Sequence, residues 1–243
     1  MEARQIETSD TTLERISLPP SGIEVWQARL DLHSEEVMRC EKFLSRDELL
    51  RCDRFHFEHD RRRFIVARAK LRLLLGRYLQ IKPAAIEFAY MKNGKPIVRG
   101  TSEGVHFNVS HSEERALYAV SKRCRLGVDI EFLNRDIDWH GLVSRFFTER
   151  EFAALQHLSA SIRKRAFFAC WTRKEAILKA TGDGLSLPLD QFEVSVDPDA
   201  EPRMLAAAHL RIHDWTLYST DVGSDYFATV AAYWGELPDE MPV

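Results

Sequence analysis

Two acidic residues lie close together in a short stretch with the character of a β-strand, Gly127-Val128-Asp129-Ile130-Glu131. Successive side chains of a strand point to opposite faces, so Asp129 and Glu131 share one face while Val128 and Ile130 turn to the core. Two like charges on one face repel unless a cation lies between them, and carboxylate oxygens are ligands that Mg²⁺ prefers. The pattern indicates either a magnesium site or an ordinary solvated strand face, because Asp-x-Glu is common.

A second group of candidate residues lies on a predicted helix, within the segment 171–180. At 3.6 residues per turn, Trp171, Glu175 and Lys179 fall on one stripe of that helix. Glu followed four residues later by Lys is also the ordinary helix-stabilising ion pair, which is the alternative interpretation. The tryptophan on the stripe and the glycine-rich segment 181–185 favour a functional role, in which Glu175 binds a metal or transfers a proton and Lys179 contacts a phosphate.

A third group ends a predicted strand at Ser110, His111 and Ser112. Hydroxyl groups donate to phosphate oxygens, and a protonated histidine adds positive charge. The alternative is a polar strand end with a hydrogen-bonded turn. No acid stands nearby in sequence for a Ser-His-Asp triad and no Gly-x-Ser-x-Gly motif occurs, so an esterase is not favoured.

A fourth group is basic and could recognise phosphates through bidentate arginine contacts. Its members are Arg51, Arg54, Arg61, Arg62, Arg63 and Lys95, the last within the turn Asn93-Gly94-Lys95-Pro96. A run of charges is usually a solvated face, and only part of a helix can face one site. Together the four groups provide acids for a metal and separate cations for several phosphates.

The elements that must position these residues come in a repeated order. Helical patterns cover about 34–79, strand patterns follow to residue 132, and helices return at 148–158 and 161–181 before the closing strands. Arg61-Arg62-Arg63-Phe64 resembles Arg163-Lys164-Arg165-Ala166-Phe167, each opening the long helix of its half. We therefore expect an α+β protein with two antiparallel sheets.

Composition narrows the possible partners. The chain has 243 residues and a formal net charge of -3, so no overall basic field attracts nucleic acid or an anionic membrane. The first residues do not form a signal peptide, and the apolar stretches are shorter than a membrane span. Four scattered cysteines, Cys40, Cys52, Cys124 and Cys170, predict reduced, half-buried thiols in a cytoplasmic protein.

From about Arg51 to Tyr233 the chain resembles the Sfp-type 4′-phosphopantetheinyl transferases. The resemblance rests on five motifs in order, followed by a matching tail. They are Gly94-Lys95-Pro96, Phe107-Asn108-Val109-Ser110-His111-Ser112, Gly127-Val128-Asp129-Ile130-Glu131, Arg145-Phe146-Phe147-Thr148 with Glu149 and Glu151, and Trp171–Ala180, with the tail Gly182–Leu189. Each motif alone is weak, and their order and spacing carry the identification.

The resemblance implies a monomer of two similar α+β halves, residues 1–125 and 126–243, related by pseudo-twofold symmetry with coenzyme A between them. It implies that Asp129, Glu131 and Glu175 hold Mg²⁺, with Mn²⁺ as an alternative, and that Glu175, Lys179 and Asp129 are catalytic. The residues that it assigns to coenzyme A are Arg51, Arg63, Lys95, Ser110, His111 and Lys179.

The implied reaction transfers 4′-phosphopantetheine from coenzyme A to a serine of an acyl or peptidyl carrier protein, as in fatty acid, polyketide and nonribosomal peptide synthesis, and releases 3′,5′-ADP. Two departures from the family pattern, Glu48 and Phe64, could reshape the nucleotide end of the site. Two other functions remain open: a metal-dependent hydrolase of phosphate esters, and a module that binds coenzyme A or a carrier protein without catalysis.

Overall fold

The computed structural model describes residues 13–19, 22–91, 94–100, 104–135, 138–182 and 187–235. Asn93 and Gly184, which the sequence placed in a turn and a loop, lie outside these ranges. The described residues form two compact units: the first contains Ala28–Ile86 with residues 13–14, and the second contains Arg15–Gln27 with the described residues of 87–235.

The first unit is helical. Its elements are α1 (Ser34–Glu41), α2 (Arg46–Cys52), α3 (Glu58–Leu79) and a 3₁₀ turn (Pro83–Ala85). α2 begins with a capping box, because the Ser45 side chain accepts from the third backbone N–H and the Glu48 carboxylate accepts from Ser45 N. α3 ends at Gln80, which adopts the left-handed conformation with φ 56°.

A buried ionic cluster crosses the core of the first unit. Glu48 is 2% exposed and accepts hydrogen bonds from Arg68 and Arg72 of α3. Arg72 also donates to the carbonyl oxygens of Pro83 and Ile86, at 2.9 and 2.8 Å. Arg68 and Arg72 therefore lie inside the unit, although charged residues of a helix ordinarily face solvent, and both are paired with Glu48.

The second unit contains the sheets and three further helices. Its elements are β1 (Glu14–Ile16), β2 (Ile23–Arg29), β3 (Phe88–Tyr90), β4 (Pro96–Val98), β5 (His106–Ser112), β6 (Arg115–Ser121), β7 (Arg125–Phe132), α4 (Trp139–Phe146), α5 (Glu149–His157), α6 (Ala160–Thr181), β8 (Phe192–Val194), β9 (Met204–Ala207), β10 (Trp215–Ser219) and β11 (Tyr226–Tyr233).

These strands form a four-stranded sheet in the order β1-β2-β6-β5 and a three-stranded sheet in the order β10-β11-β7. The hairpins β3–β4 and β8–β9 form two smaller sheets. The pairs β5–β6, β7–β11 and β10–β11 are antiparallel. The α+β class is confirmed, with small antiparallel sheets. The prediction of two sheets missed the two small hairpin sheets. Their strands β4 and β9 have only three and four residues, which is too short for a periodic pattern in the sequence.

The core of the second unit explains the position of α6. Phe167, Ile177 and Ala180 of this helix pack on one face of the three-stranded sheet, against Phe227 and Ala231. The opposite face of that sheet carries another cluster of buried side chains, which it shares with β2 and β6. Its members include Val25, Leu117, Val128, Ile130 and Val230. β7 therefore lies between two hydrophobic layers, and five of its eight residues are buried.

The order of elements is repeated along the chain. A strand, two short helices, a 22-residue helix, a 3₁₀ turn, a small hairpin and two strands occur first from β2 to β6 and again from β7 to β11. The pseudo-twofold relation of two halves and their boundary at 125/126 remain predictions. Within the described residues, no helix is long and apolar enough to cross a membrane.

Candidate active site

The candidate site begins at a seam between β5 and β7 that is closed by side chains. Three alternate residues of β5 point at β7: Asn108 Oδ1 accepts from Val128 N at 2.9 Å, and Ser112 Oγ accepts from Phe132 N at 3.1 Å. Between them, Ser110 Oγ donates to Asp129 Oδ1 at 3.0 Å. The period of two along a strand brings all three to one face, so the motif around Ser110 holds β7 in place.

Ser110, Asp129 and Lys179 form a triangle at this seam. Lys179 Nζ donates to Asp129 Oδ1 at 2.6 Å and to Ser110 Oγ at 2.9 Å. Asp129 is 4% exposed and Ser110 is 7% exposed. The structure thus brings together one predicted acid, one predicted phosphate ligand and the predicted catalytic lysine, from three different elements.

The C-terminal part of α6 is held against β7 by two close contacts. A Cβ built on Gly127 would collide with the backbone carbonyl of Ala176 and lie 2.5 Å from the nitrogen of Ala180. Only glycine permits this approach of helix and strand. Lys95 Nζ donates to the carbonyl oxygen of Lys179 at 2.7 Å and so supplies a partner for one of the last helix carbonyls.

The carboxylates of the second unit are coupled electrostatically. The pKa of Glu175 is raised from 4.5 to about 7: burial is the largest cause, the charges of Asp129 and Glu131 add to the rise, and Lys179 opposes it. Burial and the Asp129 charge also raise the pKa of Glu131, although the hydrogen bond from Ser112 opposes that shift. The charge of Asp129 thus disfavours the ionised forms of both glutamates, as expected where a cation can bind.

The donor chemistry at this position fits a divalent cation. Asp129 Oδ2 is buried and has no hydrogen-bond partner, which is costly for a carboxylate oxygen unless another group binds it. Among the described residues, however, no group of three His, Cys, Asp or Glu side chains is already arranged as a metal cluster. The predicted ligand set Asp129, Glu131 and Glu175 therefore stays a prediction.

The predicted arginine ligands lie in the first unit, where they have local partners. Arg63 Nε donates to Asp31 Oδ1 at 2.9 Å, and this contact lowers the pKa of Asp31. The Arg51 guanidinium lies 5.1 Å from the centre of the Phe64 ring. Their assignment to the nucleotide remains a prediction.

The two departures from the family pattern have structural roles in the first unit. Glu48 belongs to the buried cluster with Arg68 and Arg72. Phe64 packs its ring 5.2 Å from that of Phe55 and supports Arg51. That Glu48 or Phe64 reshapes the nucleotide end of the site remains a prediction.

Two sets of residues near the site escaped the sequence interpretation. Asn108 was part of a recognised motif but received no role, and Ser112 was identified only as a possible phosphate donor, although their spacing of two from Ser110 indicated a common face. Glu151 was identified only as a motif residue at the start of the predicted helix 148–158, yet it caps α5 and also forms a fully buried ion pair with Lys174 of α6. No local signal reveals that pair, because its partners are 23 positions apart in sequence.

Comparison with known proteins identifies the family to which the sequence belongs. Residues 125–231 match the model of the 4′-phosphopantetheinyl transferase superfamily, and residues 27–123 match that of the 4′-phosphopantetheinyl transferase N-terminal region. The 4′-phosphopantetheinyl transferase HetI of Nostoc sp. (strain PCC 7120 / SAG 25.82 / UTEX 2576) is 39% identical over 195 residues, which is 79% of this chain and 81% of the relative. The transferase Sfp of Bacillus subtilis (strain 168) is 29% identical over 211 residues, or 86% and 91% of the two chains.

A crystal structure of a holo-(acyl-carrier-protein) synthase from Bacillus anthracis str. Ames, in complex with CoA (3′,5′-ADP), matches 46% of this chain and 98% of its own, with a TM-score of 0.38 and 21% identity. The family assignment rests on the sequence matches, which span both predicted halves and include every residue of the triangle at the seam. By these matches the chain belongs to the 4′-phosphopantetheinyl transferase superfamily.

Proposed function

We propose that this protein transfers the 4′-phosphopantetheine arm of coenzyme A to a serine of an acyl or peptidyl carrier protein and releases 3′,5′-ADP. The observation that carries the proposal is the Ser110–Asp129–Lys179 triangle, with Glu175 half-buried on the same helix as Lys179. In a member of this superfamily, that arrangement supplies a cation for phosphate and an acid that can accept a proton.

In the proposed reaction, the serine oxygen of the carrier attacks the β-phosphorus of coenzyme A. A new P–O bond forms to serine, and the P–O bond to the 3′,5′-ADP group breaks, with the electron pair leaving on the ADP oxygen. A neutral serine is a weak nucleophile, so Glu175 accepts its proton as the bond forms. Lys179 Nζ keeps one proton beyond its bonds to Asp129 and Ser110, and it donates this proton in a hydrogen bond to the transferring phosphoryl group, where negative charge is greatest.

Asp129, Glu131 and Glu175 would hold Mg²⁺, or Mn²⁺ in its place. The unpartnered Asp129 Oδ2 and the raised pKa values of Glu175 and Glu131, to which the Asp129 charge contributes, support this part of the proposal. When bound, the metal would neutralise charge on the phosphate oxygens.

The nucleotide end of coenzyme A is proposed to contact Arg51, Arg63, Lys95, Ser110 and His111. His111 is exposed on β5, whereas Ser110 is buried and Lys95 donates to the α6 carbonyl. We therefore expect His111 to contact phosphate directly, and Ser110 and Lys95 to act mainly by holding Lys179 in place.

The proposal also includes the organisation of the chain. The two family-model matches meet between residues 123 and 125, which supports halves at 1–125 and 126–243. All three acids and Lys179 lie in one unit of one chain, which supports a monomer as the active form. The four cysteines are free and buried, more deeply than the sequence indicated, which supports action in the reducing cytoplasm.

Intact-mass spectrometry tests the proposal. The protein is incubated with coenzyme A, Mg²⁺ and a panel of apo acyl and peptidyl carrier proteins, and one added phosphopantetheine per carrier is expected, with equimolar 3′,5′-ADP. A parallel reaction with excess chelator tests the metal requirement and should give no mass shift. No shift with any carrier contradicts the proposed function.

The controls separate the two other functions. Cleavage of coenzyme A without a carrier protein would identify a hydrolase. Binding of coenzyme A or a carrier, measured by calorimetry, without any covalent change would identify a binding module. Either result would replace the transferase proposal.

A further inference from the structure

The side chain next to the proposed base is a fully buried lysine. Lys174 is 0% exposed, and its Nζ donates to the carbonyl oxygens of Leu189 and Phe192, both at 2.6 Å. The third contact is the Glu151 carboxylate, whose Oε2 lies 2.9 Å away. An ammonium group has three protons, and all three are used, so Lys174 cannot contact substrate.

Both carboxylate oxygens of Glu151 are likewise occupied by hydrogen bonds. It is 2% exposed; its Oε1 accepts from Val194 N at 2.8 Å, and its Oε2 accepts from Thr148 N at 2.9 Å in addition to Lys174. The pair therefore joins the start of α5, the middle of α6 and the segment that enters β8. A buried, fully hydrogen-bonded charge pair of this kind fixes geometry more than it adds stability.

The position of the pair determines which geometry is fixed. Lys174 directly precedes Glu175, so an anchor on Lys174 sets the rotation of α6 about its own axis. A rotation of about 10° moves a carboxylate that lies about 6 Å from the axis by about 1 Å. A displacement of about 1 Å can lower a rate by roughly 10²-fold. Gly127 fixes how close the helix lies to β7, and the ion pair fixes how it is turned.

We propose that the Glu151–Lys174 pair is a positioning device that orients α6, and thereby places Glu175 and Lys179 against Asp129. The proposal rests on the proposed transferase function for what that orientation achieves. It adds two positioning residues, neither of which touches the reacting atoms.

The first unit provides a matched control. There Glu48 is the capping-box acid of α2, and Arg72 is the fifteenth residue of its 22-residue helix, as Lys174 is of α6. Arg72 likewise donates to two carbonyls downstream of its helix. One residue later α3 carries Leu73 rather than an acid, so this cluster has no reacting group to orient.

The experiment compares Glu151→Gln with Glu48→Gln at a temperature where circular dichroism shows both variants folded. Both should melt at a lower temperature than the parent. We expect Glu151→Gln to lower kcat about 10- to 100-fold with KM for coenzyme A within about twofold, because most proposed nucleotide contacts are not on α6. Glu48→Gln should keep kcat within about twofold. Equal losses in the two variants, or an unchanged kcat in Glu151→Gln, would overturn the positioning role.

A second pair of variants tests the same role in case Glu151→Gln folds poorly. Glu151→Asp and Lys174→Arg keep both charges but change the length of the anchor, and the same selective loss of kcat is expected. A crystal structure of Glu151→Asp gives a readout independent of activity. The contact between Lys179 Nζ and Asp129 Oδ1 should lengthen from 2.6 Å. If the parent protein modifies no carrier, the proposed function fails, and an unchanged contact in this crystal structure would separately refute the positioning device.

Discussion

The long helices α3 and α6 have the same length and the same kind of buried ionic anchor but different residues beside it. The sixteenth and twentieth residues are Leu73 and Arg77 in α3, and Glu175 and Lys179 in α6. The fifth and seventh strand residues are Gln27 and Arg29 in β2, and Asp129 and Glu131 in β7. The scaffold is thus repeated whereas the acids occur in one copy, which separates the residues that build the fold from those that act on substrate.

The largest loss of activity is expected from a substitution of Glu175, the residue that most distinguishes α6 from α3. Glu175→Gln removes the proposed proton acceptor while keeping the shape of the side chain, and should lower kcat by about 10²- to 10⁴-fold. Thermal unfolding should show an intact fold. Arg77→Gln, an exposed residue of α3, is the control and should leave transfer unchanged. Near-normal turnover of Glu175→Gln would remove its role as base.

The second largest effect is expected from a substitution at the close backbone contact between β7 and α6. β7 has Gly127 at its third position, where β2 has Val25. Gly127→Ala places a methyl group against the backbone of Ala176 and Ala180, so α6 must move away from β7. We expect a loss of about 1–3 kcal/mol in the free energy of unfolding, together with loss of transfer. Denaturant titration measures the first quantity; an unaltered midpoint would show that the helix can shift freely.

Ser110→Ala tests the Ser110–Asp129–Lys179 triangle, and a smaller effect is expected from it. It removes the hydroxyl that bridges Asp129 and Lys179, at an expected cost of about 1 kcal/mol in unfolding free energy. Transfer should fall by a smaller factor than in Glu175→Gln, because Lys179 keeps its contact with Asp129. Ser112→Ala is a comparison on the same strand, because it removes the hydrogen bond to Glu131 and leaves the triangle intact. If Ser110→Ala loses as much activity as Glu175→Gln, Ser110 has a direct role with substrate.

The smallest effect concerns a surface pair at the start of α3. Arg63 holds the pKa of Asp31 below its ordinary value, so the pair stabilises the protein above the unfolded-state pKa, and this contribution is lost as the pH falls through the folded-state pKa. Because Asp31 is largely exposed, Asp31→Asn should cost only about 0.5 kcal/mol at pH 7. The difference from the parent should shrink in urea titrations near pH 3.5.

The equivalent arginine of α6 provides the comparison for that pair. Arg165 is the sixth residue of its helix, as Arg63 is of α3, but it lies 3.9 Å from Asp199. Asp199→Asn should therefore have no measurable effect on stability at either pH. A cost as large as that of Asp31→Asn would show that distance does not distinguish the two pairs.

The sequence predicted the regular elements well where one period dominates. The helix predicted at 148–158 is one residue longer than α5 at each end, and the helix predicted at 161–181 differs from α6 by one residue. Asp129 and Lys179 were identified because motif and spacing are local properties. The buried charges were missed because a charged residue on a helix is ordinarily a sign of solvent, whereas Arg72 and Lys174 find partners in other elements. Such partners depend on tertiary packing, which one sequence does not display.

The seam between β5 and β7 has a consequence for how the site can change over evolutionary time. A backbone ladder persists under almost any substitution, since every residue except proline carries the same N–H and C=O groups. The bonds from Asn108, Ser110 and Ser112 depend on residue type, so single substitutions can open this junction or alter its register. Substitutions at these three positions of β5 therefore change the position of Asp129 directly. Variation in these three side chains could alter the reactivity of the site without disturbing the surrounding sheets.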